Sequence, residues 1–528
     1  MKRKGFAFFI ALAMLICFFS GCADRETNHS SVEATPEQMI VGSANEGVGE
    51  YPYFNESIDF SDVSLPLTSD IPSKENSSEK NKSSSEKTSS EDKSSSSKAT
   101  ITTSSVNETS SVSTSSKTTS VSTSSAPTSS TSPTVNYDTM KAVWISYIDF
   151  AEILTGKTEA QFRSNFKKVC QNSVDFGINT LVCHVRAFGD AFYPSEYFAW
   201  SRNVLGIGKN PGFDPLKIMI ELAHQYNLSF HAWVNPFRAY LDTEVSSVPS
   251  SSVFKKWYND SSKNGKYIVK VDKRWYYNPG YPEVRELVLN GVKEIINNYN
   301  VDGIHFDDYF YPTTSQSFDS SSFADYGAGK TLANWRRENV SSLVKSVYNA
   351  VKAKNKNIVF GVSPQANVQN DMNMQYADVK LWSSQNGYVD YLCPQVYFNY
   401  VSESLDFSST LSTWNKLVTA SNVKLMIGLS VDRIGWYDTW ACNNRDTHTA
   451  STPNCGAFGW RTDNPAQSNI LARQYDDSMS LKKCSGVFLY SYQYVFNPTS
   501  RFAPSDKYAD NALSQAKYEI QKLKAAMK

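Results

Sequence analysis

From residue 137 onward the chain repeats one pattern, a short apolar run followed by a longer stretch with helical spacing. Eight apolar runs stand out, at residues 142–147, 179–186, 229–235, 302–309, 358–363, 391–397, 425–431 and 486–492. Each has strand length and strand-type residues. Between them, residues 213–226, 282–298, 332–354 and 506–528 carry helical periodicity, with Pro215 and Pro282 near helix starts, where a missing N–H costs little. Strands alternating with helices predict βα units and a parallel sheet. Eight such units in one domain predict a closed (β/α)8 TIM barrel over residues 137–528, with loop insertions at 240–273 and 432–464.

The parity within the strands carries the functional signal. Leu181, Cys183 and Val185 share one face of the second strand, with His184 and Arg186 on the other. Phe230, Ala232 and Val234 oppose His231, Trp233 and Asn235 in the third, and Ile304 and Phe306 oppose Gly303, His305 and Asp307 in the fourth. Gln395 and Tyr397 fall together in the sixth, as do Tyr490 and Tyr492 in the eighth. Side chains alternate across a strand, so the apolar set packs on helices and the other set points into the barrel. The polar inward residues gather toward the C-terminal strand ends, where barrel active sites are built.

The region before the barrel has a different texture. Lys2, Arg3 and Lys4 precede an apolar run from Phe6 to Phe19, too short for an ordinary spanning helix and suited to a signal peptide. It ends Phe19-Ser20-Gly21-Cys22, which resembles a lipobox with Phe in place of the usual Leu. Residues 1–22 are therefore expected to be a lipoprotein signal peptide, with acylated Cys22 as a membrane anchor. Two acyl chains suffice for stable anchoring. Residues 23–136, dominated by Ser and Thr with scattered Lys and Glu, lack the apolar surface to offset ordering entropy and are expected to form a disordered linker.

Charge and composition narrow the partners. The 52 basic and 52 acidic residues balance, so there is no overall electrostatic case for nucleic acid. Aromatic residues make up 13% of the chain, which suits either a large core or planes for stacking sugar rings. Six cysteines follow Cys22, without a CxxC pair. Cys170, Cys183 and Cys393 fall in apolar patterns and read as buried thiols, whereas Cys442 and Cys455 share a loop and could pair. No cofactor is called for.

The sharpest chemical signal is Asp302-Gly303-Ile304-His305-Phe306-Asp307-Asp308-Tyr309. If Ile304 and Phe306 face the helices, Asp307 points into the barrel mouth, and Asp308 opens the following loop. Asp302, at the strand start, reads as structural. Asp307 and Asp308 are thus the candidate catalytic residues.

Segments 141–147, 177–186, 189–193, 213–238, 277–285, 301–312, 361–367 and 390–400 together resemble the glycosyl hydrolase-like 10 family of bacterial lipoproteins. The resemblance spans residues 138 to 500 or so and implies a (β/α)8 barrel with glycosidase activity. Some relatives are associated with peptidoglycan glycan strands stripped of their peptides. It also implies that Asp190 and Tyr193 line a subsite. More distantly, the 302–307 segment resembles the fourth-strand motif of the alpha-amylase superfamily, in which an inward Asp is the nucleophile. His305 stands where that superfamily has Arg, and the fifth strand, ending Ser363-Pro364-Gln365-Ala366-Asn367, lacks its acid Glu.

Glycoside hydrolysis normally uses two carboxylates, about 5–5.5 Å apart for retention and about 6.5–9.5 Å for inversion, with substrate-assisted enzymes an exception. Adjacent Asp307 and Asp308 suit that exception: Asp308 as general acid and Asp307 orienting a substrate N-acetyl group, or the two roles exchanged. Asp432, ending the seventh strand, is a second-carboxylate candidate. The expected substrate is a cell-wall or other N-acetylhexosamine-containing polysaccharide. His184, Arg186, His231 and His305 would moderate the paired charge and bind hydroxyls. Trp233, Tyr309, Tyr397 and Tyr492 offer stacking planes; Asn235, Arg238, Asn367 and Gln395 offer polar contacts. Rival readings are an alpha-glucan hydrolase, a non-catalytic glycan-binding barrel, and a metal-dependent hydrolase with zinc on His184, His231, His305 and Asp307. Against the last, Arg186 would repel a cation.

Overall fold

The computed structural model describes residues 139–436, 438, 441, 459–462, 464–498 and 509–528. The expected signal peptide with Cys22, the linker, and the Cys442–Cys455 pairing lie outside the described residues. Eight parallel strands close into a barrel in sequence order. They are β1 (Met140–Ile145), β2 (Thr180–Arg186), β3 (Ser229–Val234), β4 (Gly303–Phe306), β5 (Val359–Val362), β6 (Tyr391–Leu392), β7 (Lys424–Ser430) and β8 (Cys484–Tyr490). Around them lie α1 (Glu159–Phe176), α2 (Pro215–Gln225), α3 (Pro282–Asn298), α4 (Leu332–Lys354), α5 (Val379–Ser384), α6 (Phe407–Leu417), α7 (Ile470–Ser480) and α8 (Ala509–Met527). The (β/α)8 expectation holds.

Local chemistry explains the boundaries. Thr158 caps α1 through a reciprocal pair with Gln161, and Gly177 ends the helix in a left-handed conformation at φ 99°. Asp214 caps α2, with Pro215 in its first turn. β6 stops at Leu392, short of the expected 397, because Pro394 cannot donate to a ladder; Gln395 rejoins the sheet only as an isolated bridge to Gln365 and Gly428. β8 stops at Tyr490, because a short helix (Tyr492–Phe496) begins where the alternation was expected to continue.

The parity holds. Leu181, Cys183, Val185, Phe230, Ala232, Val234, Ile304 and Phe306 lie in the core between barrel and helices. Ala142, Trp144, Val182, Trp233, Tyr391, Met426 and Phe488 fill a separate interior cluster. Cys170, Cys183 and Cys393 are buried free thiols, as expected. Asp302 is structural: its Oδ2 accepts from Phe230 N and meets His224 Nε2, each at 2.8 Å, tying the start of β4 to β3 and α2.

One interior layer runs continuously around half the barrel. His184, Trp233, His305, Gly361 and Tyr391 are successive register partners on β2, β3, β4, β5 and β6. Gly361 makes that layer possible, since a Cβ there would lie 2.0 Å from the Tyr391 ring. Gly303 does the same for His231, whose ring would be 2.6 Å from its Cβ. After β3, the segments Arg238–Leu241, Arg274–Tyr277 and Ile268–Val271 form a small antiparallel sheet, accompanied by a helix, Val253–Asn259. Most of the 240–273 insertion is accounted for by these elements.

Gly361→Ala should destabilise the barrel by about 1–3 kcal/mol, the usual cost of overpacking. Urea denaturation of the variant beside wild type measures it, with Gly387→Ala, where a Cβ meets nothing within 4 Å but φ is +95°, as a comparison for backbone strain without crowding.

Candidate active site

β4 ends at Phe306, so Asp307 and Asp308 stand just past its C-terminal end, at the barrel rim. Asp307 is 2% exposed, while Asp308 is half-buried. Two N–H groups hold Asp307: the Trp233 indole donates to Oδ2 at 3.2 Å, and Tyr309 N donates to Oδ1 at 3.3 Å. Asp308 is held from the opposite side, where Gln395 Nε2 donates to Oδ1 at 3.3 Å and also to Ser363 O at 3.1 Å. Gln365 approaches the same carboxylate.

Burial and the neighbouring Asp308 push the Asp307 carboxyl up to about 8, against the pull of Tyr309 N, Arg238 and Trp233. Burial also raises Asp308, opposed by its own backbone N–H, by Gln365 and Gln395, and by Arg238. Two such groups titrate as a unit, and the pair keeps a proton near neutrality. One carboxyl can then give a proton while the other carries charge, which is the division of labour glycosidic bond cleavage requires.

His184 backs this pair. Its ring stacks on Trp233 with centroids 3.4 Å apart and planes 17° apart. Tyr147 N donates to its Nδ1 at 3.2 Å. Burial first, then Arg238 and His305, pushes its pKa well down, so the ring is neutral and its proton must sit on Nε2. That nitrogen lies 4.0 Å from Asp307 Oδ2, beyond direct hydrogen bonding but correctly polarised.

Several residues expected to contact substrate are engaged within the protein. His231 and His305 are fully buried. They form a relay below the site: Trp144 Nε1 donates to His305 Nε2 at 3.1 Å, His305 Nδ1 meets Tyr391 OH at 2.9 Å, and that hydroxyl meets His231 Nδ1 at 3.1 Å. In this arrangement they brace the barrel floor. Both Nη2 bonds of Arg186 go to backbone, at Asn235 O and Pro236 O, and its guanidinium lies over Phe198. Asn235 itself is buried beside it. Asp190 accepts from Phe188 N at 3.2 Å inside its own loop, and Tyr193 packs against Tyr299 in the helix-facing core. The Asn367 side-chain oxygen caps a short helix by accepting from Gln369 N and Asn370 N. Asp432 accepts from Ser430 Oγ, on a strand three positions round the barrel from β4. Tyr492 accepts from Asn172 of α1, so it is turned away from the mouth, whereas Tyr490 packs at a tilt against Tyr397, ring centroids 5.8 Å apart.

Trp233, Tyr309, Arg238, Gln395 and His184 do gather about the pair, with the Arg238 guanidinium 4.4 Å from the Tyr309 ring centroid. The sequence reading missed Tyr147, Gln365 and the interior Trp144 and Tyr391. Strand parity was a sufficient signal for Trp144, which shares its face with Ala142. The proposed zinc set does not converge: the ring nitrogens of His305 are engaged by Trp144 and Tyr391. Among the described residues no group of three His, Cys, Asp or Glu side chains has metal-binding geometry.

A closed (β/α)8 barrel thus carries two adjacent carboxyls at its C-terminal rim, the end where barrel active sites are built. The family model for Glycosyl hydrolase-like 10 matches residues 139–441, more than half of the chain, and the chain belongs to that family. It is 32% identical to Glycosyl hydrolase YngK of Bacillus subtilis (strain 168) over 321 residues, which is 56% of this chain and 61% of that protein. It is 28% identical to Glycosyl hydrolase DigH of Escherichia coli (strain K12) over 349 residues, 62% of this chain and 75% of DigH. Among solved structures, the catalytic domain of beta-amylase from Paenibacillus polymyxa aligns at 10% identity with a TM-score of 0.43, covering 74% of this chain and 99% of that one.

The raised Asp307 pKa has a thermodynamic signature. Between the ordinary carboxyl value of 3.8 and about 8, the folded state binds a proton that the unfolded state releases. Its contribution is therefore complete below about pH 4, declines as pH rises, and levels off above about 8. Thermal unfolding from pH 4 to 9 should show Asp307→Asn losing less stability with rising pH than wild type.

Proposed function

We propose that the protein is an envelope glycosidase that cleaves N-acetylhexosamine-containing polysaccharide, with peptide-free peptidoglycan glycan strands as its polymer. The observation that carries this reading is the pair of adjacent carboxyls at the barrel rim, Asp307 buried and Asp308 half-buried, with burial raising both. Family membership supports glycosidic cleavage, and the lack of a fifth-strand Glu supports a substrate-assisted route.

In this mechanism Asp308, the more exposed carboxyl, gives its proton to the leaving glycosidic oxygen. The carbonyl oxygen of the substrate acetamide attacks the anomeric carbon as that bond breaks. Asp307, held by Trp233 and Tyr309 N, accepts from the acetamide N–H and turns the carbonyl toward the sugar. Docking of that N–H favours charge on Asp307 and moves the shared proton to Asp308. Water then opens the cyclic intermediate, with Asp308 as base. Tyr397 and Tyr490, side by side near the eighth strand, supply an aromatic wall.

The roles separate by leaving group. Asp308→Asn should lose about 10²–10⁴-fold on glycan strands. It should recover much of that on an aryl N-acetylhexosaminide whose leaving group needs no proton. Asp307→Asn should be slow on both. Equal recovery of both variants, or wild-type activity in Asp308→Asn on glycan, would refute the assignment.

Anchoring rests on the sequence of residues 1–22, where small residues precede Cys22. Cys22→Ser in the full chain should shift the protein from the membrane fraction to the soluble one after cell fractionation. Unchanged partitioning would argue against an acyl anchor at that residue.

A further inference from the structure

Near Asp308 stands a third carboxyl that the mechanism above does not use. Asp371 lies on the short helix Val368–Asn373, in the loop that follows β5, and is fully buried. Its Oδ1 accepts from Gln365 N at 3.0 Å. Its Oδ2 is buried and has no hydrogen-bond partner among the described residues. Burial first, and then the charge of Asp308, raises its pKa well above the ordinary carboxyl value, so it keeps its proton at neutral pH. A carboxyl that bonds through one oxygen and leaves the other unpaired is an unfavourable thing to bury, and its position explains why it is there.

The ladder between β4 and β5 ends at Ser363 N, which donates to Phe306 O at 2.8 Å. Two residues on, the next rung of a parallel pair would join Gln365 N to Asp308 O. That rung is open. Asp371 Oδ1 takes the donor, and the side chain of Gln375 takes the acceptor. With its amide oriented to satisfy both ends, Gln375 donates to Asp308 O at 3.0 Å and Tyr311 O at 3.1 Å, and accepts from Gln365 Nε2 at 3.0 Å. The Gln365 side chain also hydrogen-bonds the Asp308 carboxylate. One pair of amides therefore grips the acid at its backbone and at its side chain. Asp371 ties the segment that carries both: its own N–H donates to Asn367 O at 3.1 Å, and its carbonyl accepts from Ala377 N at 2.7 Å.

We propose that Asp371 is a positioning residue for the acid step: it replaces the last β4–β5 rung at Gln365 N, and so lets the Gln365–Gln375 pair aim the Asp308 carboxyl at the glycosidic oxygen. The inference rests on the glycosidase reading, in which Asp308 is the acid, and adds to it the group that sets where that acid stands. The proton on Asp371 keeps a further negative charge away from Asp308, whereas an ionised side chain there would repel it.

The test measures kcat and KM of Asp371→Ala on glycan strands and on an aryl N-acetylhexosaminide whose leaving group needs no proton. On glycan strands kcat should fall about 10- to 100-fold, the scale of an acid misplaced by about 1 Å, with KM within about twofold. On the aryl substrate the loss should stay under about threefold, because no proton is delivered there. Asp371→Asn keeps an acceptor oxygen of the same reach and should recover most of the glycan activity. Gln365→Leu should repeat the selective loss, and adding Asp371→Ala to it should lower kcat little further, since both changes release one contact. Equal losses on the two substrates, wild-type glycan activity in Asp371→Ala, multiplying losses in the double variant, or no recovery in Asp371→Asn would each overturn the positioning role and leave glycosidase activity standing. Wild-type protein that turns over neither substrate defeats the underlying functional reading instead. Where Asp371→Ala fails to fold by circular dichroism, Asp371→Ser, whose oxygen is one bond nearer the backbone, takes its place with the same expectations.

Discussion

Placing two neighbouring carboxyls under cover at the end of β4 constrains everything around them. A charged pair in that position would be prohibitive, so the site retains a proton and surrounds the pair with donors. Trp233 and Tyr309 N attend Asp307, and the amides from β5 and β6 attend Asp308. Each donor comes from a different strand end or loop, so barrel closure itself assembles the acid.

The interior layers below serve the same end. His184 must remain neutral with its proton on Nε2 to face Asp307, and Tyr147 N at Nδ1 enforces that tautomer. In the same layer, the Trp144 indole fixes His305, which in turn orders Tyr391 and, through it, His231. Polar rings replace the branched aliphatic layers usual in such barrels. Trp144, His305, Tyr391 and His231 are linked by hydrogen bonds and burial keeps the imidazoles neutral, so the floor leaves no charge beneath the carboxyls. Gly303 and Gly361 give those rings space, which couples two strand glycines to the geometry of the site above them.

Much of this was legible in the residues. Alternation within β2, β3 and β4 assigned the inward face correctly, and the helices 282–298 and 332–354 were read to their ends. What failed was the distinction between facing inward and facing a ligand. His231, His305 and Arg186 do face away from the helix layer, yet they are buried, and neighbouring backbone and rings take Arg186 Nη2, His231 Nδ1 and both ring nitrogens of His305. Parity reports direction but not depth, and depth depends on shear and on which glycines leave room. Tyr492 failed for another reason, since a helix begins there and ends the period of two. Asp190 and Tyr193, expected to line a subsite, turned out to be loop and core residues.

The retained proton is best tested by following the carboxyl carbons directly. In protein labelled with 13C at aspartate side-chain carboxyls, the Asp307 resonance, assigned by its absence from Asp307→Asn, should titrate near 8 and belong to a neutral acid at pH 6. A resonance already at the carboxylate position at pH 6, with a midpoint close to 4, would contradict the account.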